Sequence, residues 1–173
     1  MKLDEHARAL IGYGADATLV TLNPDGSPQV SVVWIAVHTT PDSDDEVVTA
    51  HLAEHKKIRN VRRDNRVALT VLSTDLSGPM TPYLSIYGTA RVEEGGAPEL
   101  LREIAKTMIG HDAKFPPMDD PPPGFVTHIT IDKIGGMGPR GRLTRVLRRV
   151  SCAIMRRQLR RGRCLAGSSD CSL

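Results

Sequence analysis

Aromatic side chains are scarce: Trp, Tyr and Phe together make up 3% of the 173 residues. Single-stranded nucleic acid is normally held on aromatic stacking platforms, so this shortage disfavours that partner class. Cysteine is missing from the first 151 residues, because Cys152, Cys164 and Cys171 are all in the C-terminal part. A disulfide framework or a cysteine nucleophile therefore has little support. No run approaches the roughly 20 apolar residues that span a bilayer. The opening MKLDEHARAL lacks the apolar stretch of a secretory leader. Stable membrane insertion is not expected, and the cytoplasm is the expected compartment. Phosphate-binding P-loops and Gly-x-Ser-x-Gly elbows are missing too. Gly12 and Gly14 do not form a dinucleotide loop, because no strand precedes them and the third glycine is lacking.

What is present reads as one globular domain, with 40% hydrophobic and 25% charged residues. The net charge of +3 hides a strong asymmetry. Residues 140–173 carry ten arginines, no lysine and one acid, Asp170, for a net +9. Residues 1–139 carry −6 and every aromatic residue. We therefore divide the chain into a domain over 1–139 and an atypical Arg-rich tail over 140–173. In the tail, Leu143, Val146, Leu147, Val150 and Ile154 recur at helical spacing. That pattern suits a basic amphipathic helix for a membrane surface or an acidic partner. The abrupt change in composition favours a second reading, a disordered accretion such as a shifted reading frame in a GC-rich gene would add.

Within the domain, the pattern predicts a helix over 3–13, with Asp4 as N-cap and Ala7, Leu10 and Ile11 on one face. Strands follow at 17–22 and 28–38, joined by the turn Asn23–Gly26. The second is apolar on both sides from Val32 onward, as in a central strand. A short strand over 46–51 precedes a basic helix over 54–64 with Ile58 and Val61 inward. Strands at 66–73 and 82–92, an amphipathic helix at 97–109 and a final strand at 125–131 complete the order. Acidic residues 41–45, Gly/Pro-rich residues 75–81 and residues 110–124, with five prolines, read as loops. Six strands, mostly antiparallel, with only three helices argue for a mainly β (α+β) fold, a small barrel with helices at its ends.

Three features carry candidate chemistry. His55, Lys56, Lys57, Arg59, Arg62 and Arg63 cluster just after a strand. Such a cluster can hold a phosphate with cationic side chains and the free N–H groups of a helix start. It also fits a solvated face that pairs with the acidic body. The run Gly26–Trp34 reads as an extended strand with Gln29, Ser31 and Val33 against a flat ligand, or as an ordinary strand after a hairpin turn. His51 and His55 are four apart, but the helix starts near Glu54 and no third ligand is evident. No metal site is expected there.

Several segments together resemble one family. They are TLNPDGSPQVSVVW (Thr21–Trp34), EVVTAHLAEHKKIRNVRRDNRVALTV (Glu46–Val71), YLSIYGTARV (Tyr83–Val92) and HITIDKIGGMGP (His128–Pro139). The chain resembles the split β-barrel, pyridoxamine-5'-phosphate-oxidase-like superfamily of flavin and deazaflavin proteins over about residues 4–139. More narrowly, it is similar to its actinobacterial branch of coenzyme F420-dependent reductases. The run Lys57–Asp64 is the most specific part. Relatives often carry proline where this chain has Asn65, and tend to stop soon after the Gly-Pro matching Gly138–Pro139.

The resemblance implies a six-stranded antiparallel split barrel with flanking helices, and a homodimer with two cofactor sites at its interface. It implies that Lys57, with Lys56 and Arg59, holds the cofactor phosphate. The ring would lie against 28–34, involving Pro28, Gln29, Ser31, Val33 and Trp34, and against 49–52, involving Thr49, Ala50 and His51. The implied reaction is hydride transfer from F420 to an unsaturated or conjugated small-molecule substrate. The cofactor would carry the chemistry and the protein would orient it. Tyr83, Tyr87 and His51 are candidate proton donors by residue type alone. Alternatives are an FMN-binding oxidase or reductase on the same barrel, a non-catalytic cofactor-binding protein, and an interaction protein acting through its basic tail.

Overall fold

The computed structural model describes residues 1–39, 44–75 and 80–137. The Arg-rich tail and both readings of it lie outside the described residues. In chain order the elements are α1 (Glu5–Ile11), β1 (Ala15–Leu22), β2 (Pro28–His38), β3 (Glu46–His51), α2 (Lys56–Arg63), β4 (Arg66–Leu72), β5 (Tyr83–Glu94), α3 (Ala97–Met108) and β6 (Phe125–Met137). The strands close a barrel in the order β1-β2-β3-β6-β5-β4, and every pair is antiparallel. No described helix is long and apolar enough to cross a membrane.

Strand side chains alternate between faces, so every second residue reaches the interior. Ala17 and Leu19 of β1, Val33 and Ile35 of β2, Val47 of β3, Val67, Leu69 and Val71 of β4, Leu84 and Ile86 of β5, and Ile129 and Ile131 of β6 fill it. Each large aliphatic side chain buried this way contributes about 1.5–3 kcal/mol. A second cluster lies on the outer wall, where Leu101 and Ala97 of α3 cover Ala50 and Val126, with Trp34 and Phe115 packed alongside.

The two short helices close opposite ends. At one end Leu3, Ala7 and Ile11 join the interior cluster. The Asp4 carboxylate caps α1 by accepting from the Ala7 N–H at 2.8 Å. Asp45, fully buried, accepts from the Leu3 N–H at 2.6 Å, from Arg8 at 2.5 Å and from the Thr39 hydroxyl at 2.8 Å. Burial pushes the Asp45 carboxyl up, but these bonds outweigh it and hold it below the usual carboxylate range. At the other end α2 buries Ile58, Asn60 and Val61.

Several element ends shift by one or two residues from expectation, and three differences bear on the architecture. α2 starts at Lys56 after an extended His55, because Glu54 is not helical. β6 runs to Met137 instead of stopping at Ile131, since Gly135 and Gly136 conceal a strand that pairs with Tyr83–Ser85. β2 is not a fully central strand. It pairs with β1 over Pro28–Ile35, but with β3 only over Ala36–His38.

The β5–β6 ladder carries a bulge between Tyr87 and Gly88, which leaves Asp132 as the extra residue. A Cβ on Gly88 would come within 2.0 Å of the Thr130 carbonyl oxygen. That neighbour is backbone and cannot step aside. We expect Gly88→Ala to cost about 3 kcal/mol or more in urea unfolding. An unchanged midpoint would show that the two strands separate easily there.

Candidate functional site

β3 ends at His51, opposite Phe125 of β6. Before Ala36, β2 has no partner on its β3 side among the described residues, so the backbone edge of residues 28–35 stays open. α2 begins five residues after β3 ends and covers this end of the barrel. The split, the start of α2 and the polar end of the interior therefore adjoin one another.

The interior is polar at this end. Asn60, buried within the basic helix, donates to Thr21 Oγ1 at 3.1 Å and to Asn23 Oδ1 at 3.3 Å. The Thr21 hydroxyl donates to Gln29 Oε1 at 2.8 Å. Other buried polar atoms have no partner among the described residues: Ser31 Oγ, Thr49 Oγ1, His51 Nε2 and Thr127 Oγ1. Thr49 and Thr127 are direct cross-strand partners, so their side chains are neighbours on the interior face. A buried polar atom left unpaired costs about 1–3 kcal/mol. Atoms of this kind clustered beside an open strand edge suit a bound polar ligand.

The basic helix is less uniform than its sequence. Arg62 pairs with Glu54 and, at 2.6 Å, with Glu94, and lies 5.3 Å over the Phe125 ring. Arg63 donates to the Leu22 carbonyl, and Arg59 to the Glu54 carbonyl at 2.8 Å. Lys56 is exposed. Lys57 is half-buried, and no acidic partner contacts it among the described residues. Burial pushes its ammonium below the usual lysine range. His55 makes no capping bond, so the first N–H groups of α2 lack a side-chain partner.

His51 is held neutral. Burial, then the charges of Lys57 and His55, lower its pKa from 6.5 to about 3. The His51 and His55 rings meet edge to face at 5.9 Å. Its ring therefore offers a neutral donor or acceptor at physiological pH and is not an imidazolium acid. Tyr83 and Tyr87 lie on the outer wall of β5, with the Lys133 ammonium 5.8 Å above the Tyr87 ring.

The strand pleat divides the expected ring-contacting residues. Gln29 and Ser31 turn inward at the open edge, and Pro28 is exposed at its start. Val33 is 4% exposed within the interior cluster, so its side chain is packed against other core residues. Trp34 and Ala50 belong to the outer cluster under α3, where the Trp34 and Phe115 rings lie 5.0 Å apart. The structure thus brings together Gln29, Ser31, Thr49, His51 and Lys57 at one end. It places Trp34 and Ala50 on the other wall. Asn60 and Thr127 escaped sequence reasoning. An uncharged polar residue between Ile58 and Val61 was a faint signal for Asn60, and Thr127 had none before the β3–β6 register was known.

A cavity of about 750 Å³ lies elsewhere, between the end of α1, the start of β1, Val32, Thr70, Leu72–Thr74 and Met108. It contains neither Lys57 nor His51. The lysine end is the better candidate, because it holds the unpaired polar atoms.

A family model, pyridoxamine 5'-phosphate oxidase, matches residues 3–138. No curated protein matches the chain. Among solved structures, one called an F420 reductase is 21% identical with a TM-score of 0.58, over 77% of this chain and 98% of that one. A conserved hypothetical protein of Mycobacterium tuberculosis has the same identity and TM-score, over 81% and 87% of the two chains. HupZ of Group A Streptococcus is 15% identical with a TM-score of 0.52, over 80% and 99%. At these identities the likeness is one of fold.

The neutral His51 has a measurable consequence. Its folded pKa is depressed, so below about pH 6.5 the unfolded chain takes up a proton that the folded chain refuses until about pH 3. Stability present above pH 6.5 is therefore lost as pH falls, by about 1.4 kcal/mol per pH unit for this group. We expect urea unfolding of His51→Gln to lose less stability than the parent between pH 6 and pH 4. Equal losses would mean that the ring is protonated in the folded protein.

Proposed function

Because the chain belongs to the pyridoxamine 5'-phosphate oxidase family, we propose that it is an oxidoreductase using the deazaflavin coenzyme F420. The family binds flavin-type cofactors, and the coarse chemistry follows from that membership. The choice of F420 rests on the resemblance carried by Lys57–Asp64. A fold neighbour called an F420 reductase supports it. The observation that carries the reading is Lys57, a half-buried cation with no acidic partner among the described residues, beside polar atoms likewise unpaired among them. A cation buried without a partner is costly, and an anionic ligand removes that cost.

The residues present fit such a cofactor. Lys57, with Lys56 and the free N–H groups of α2, would meet its phosphate. Arg59 adds positive charge at the same turn. The edge of residues 28–34, with Gln29 and Ser31, and the Thr49–His51 end of β3 would hold the ring by hydrogen bonds. Bound there, the deazaflavin would supply a hydride for reduction of an unsaturated or conjugated organic substrate. The apolar interior beyond Thr49 excludes water from that end. Neutral His51 orients the ligand through hydrogen bonds and does not repel its positive neighbours.

We also propose a homodimer. Val30 and Val32 of β2 are 60% and 68% exposed, and Leu72 and Tyr87 share the same outer wall at 63% and 49%. A second copy would cover this apolar face and complete the ligand site along the open edge. FMN in place of F420 is the alternative for the same residues.

The test is a fluorescence titration of the full chain with F420 and, separately, with FMN. We expect F420 to bind in the micromolar range and FMN more weakly. Lys57→Ala should weaken F420 by about tenfold or more, which is about 1.4 kcal/mol and within the range of a charge-assisted bond. Tighter FMN binding would move the protein to flavin chemistry. Binding of neither would remove the cofactor reading.

A further inference from the structure

The outer wall carries a cluster that the cofactor site does not use. His38 ends β2 and pairs directly with Glu46, the first residue of β3. His128 of β6 is opposite Val48, two residues along from Glu46 and on the same face. Ligand atoms of His38, Glu46 and His128 all lie within 4.8 Å of one another. His128 is 13% exposed, and its Nδ1 is 3.1 Å from Glu46 Oε2. Its Nε2 is 3.3 Å from Glu93 Oε2. A neutral imidazole has one N–H and can donate to only one of these carboxylates.

We propose that His38, Glu46 and His128 form a binding site for a first-row transition-metal dication of the Zn²⁺ type. Two imidazoles and one carboxylate are the donor set that borderline metals prefer over Mg²⁺ or Ca²⁺. A tetrahedral ion with bonds of about 2.1 Å needs ligand atoms about 3.3 Å apart. Glu46 and His128 already stand that close, at 3.1 Å between Oε2 and Nδ1, so the movement falls to His38. His38 is exposed at the end of its strand and free to swing inward. Glu46 and His128 sit on adjacent strands of a closed barrel and give the site a fixed base.

The surrounding charges suit a dication. Glu46 and Glu93 bring two negative charges, and Arg91 brings one positive, 3.0 Å from Glu46 Oε2 and 3.5 Å from Glu93. Arg91 shares Glu46 Oε2 with His128, so Glu46 would meet an ion with its other oxygen while Arg91 holds the carboxylate in place. Glu93, 63% exposed, is available to orient the second nitrogen of His128. The fourth position would be open to water. His38 lies at the opposite end of β2 from Pro28, so the metal would occupy a place separate from the cofactor residues.

Zn²⁺ titration by calorimetry tests this on the full chain with Cys152→Ser, Cys164→Ser and Cys171→Ser, which removes thiol background. The expected result is one equivalent bound near micromolar affinity. Binding should be weakened at least about tenfold by His38→Ala and by Glu46→Gln, and Mg²⁺ should show none. Co²⁺ should give a visible spectrum that His38→Ala abolishes. His128→Ala should act alike. Because that ring is largely buried, its thermal unfolding is followed in parallel, and exposed His38 carries the test if His128→Ala does not fold. No Zn²⁺ uptake, uptake unchanged by His38→Ala, or uptake that disappears with His55→Ala instead would each overturn the proposal.

Discussion

β2 and β3 share a ladder only over Ala36–His38 and Glu46–Val48, and this early parting governs the molecule. Beyond Val48, β3 continues to His51 beside β6 alone, while residues 28–35 of β2 stay with β1. The barrel is closed by its ladder at the α1 end and parts along one seam toward the α2 end. A strand edge without a ladder exposes N–H and C=O groups that something must satisfy. In this chain the seam coincides with a helix start and with threonine, serine and histidine side chains where aliphatic ones would otherwise complete the core. Backbone and side chains make the same demand for polar partners at the same place.

The electrostatics there arise from competition within one short helix. Arginines 59, 62 and 63 each find an oxygen nearby, on Glu54, Glu94 or the backbone at Leu22. Their charge is largely spent on holding α2 against the barrel. Lys57, one turn earlier on the buried side, is left with desolvation and no compensation. Burial first, and the Lys57 charge second, keep His51 uncharged. The lysine charge thus helps to keep the imidazole neutral, while the lysine's own proton affinity is lowered by burial.

Much of the architecture was legible because strand and helix periods differ. The hairpin turn at Asn23–Gly26 was marked by its Asn-Pro-Asp-Gly run, and Asp25 closes it by accepting from the Ser27 N–H. The final strand was cut short because Gly135 and Gly136 have no side chains to show alternation. At the site, the lysines stood out as a cluster, but which cation lacks a partner depends on Glu54 and Glu94, which are far apart in the chain. Residues 28–34 read as one lining surface, whereas the pleat sends Val33 and Trp34 into different cores. The group of His38, Glu46 and His128 had no signature at all. Its members come from three strands, and only the barrel's register makes them neighbours.

The contact between Asp45 and the first residues of the chain reaches beyond local stability. Leu3 and Arg8 supply the donor and the counter-charge for a carboxylate with no exposure to solvent. The opening segment thus serves as the plug of one barrel mouth. A trimmed version starting at residue 9 would retain all six strands yet leave a buried anion bare. Handles for immobilising or labelling the protein are better attached away from this plug.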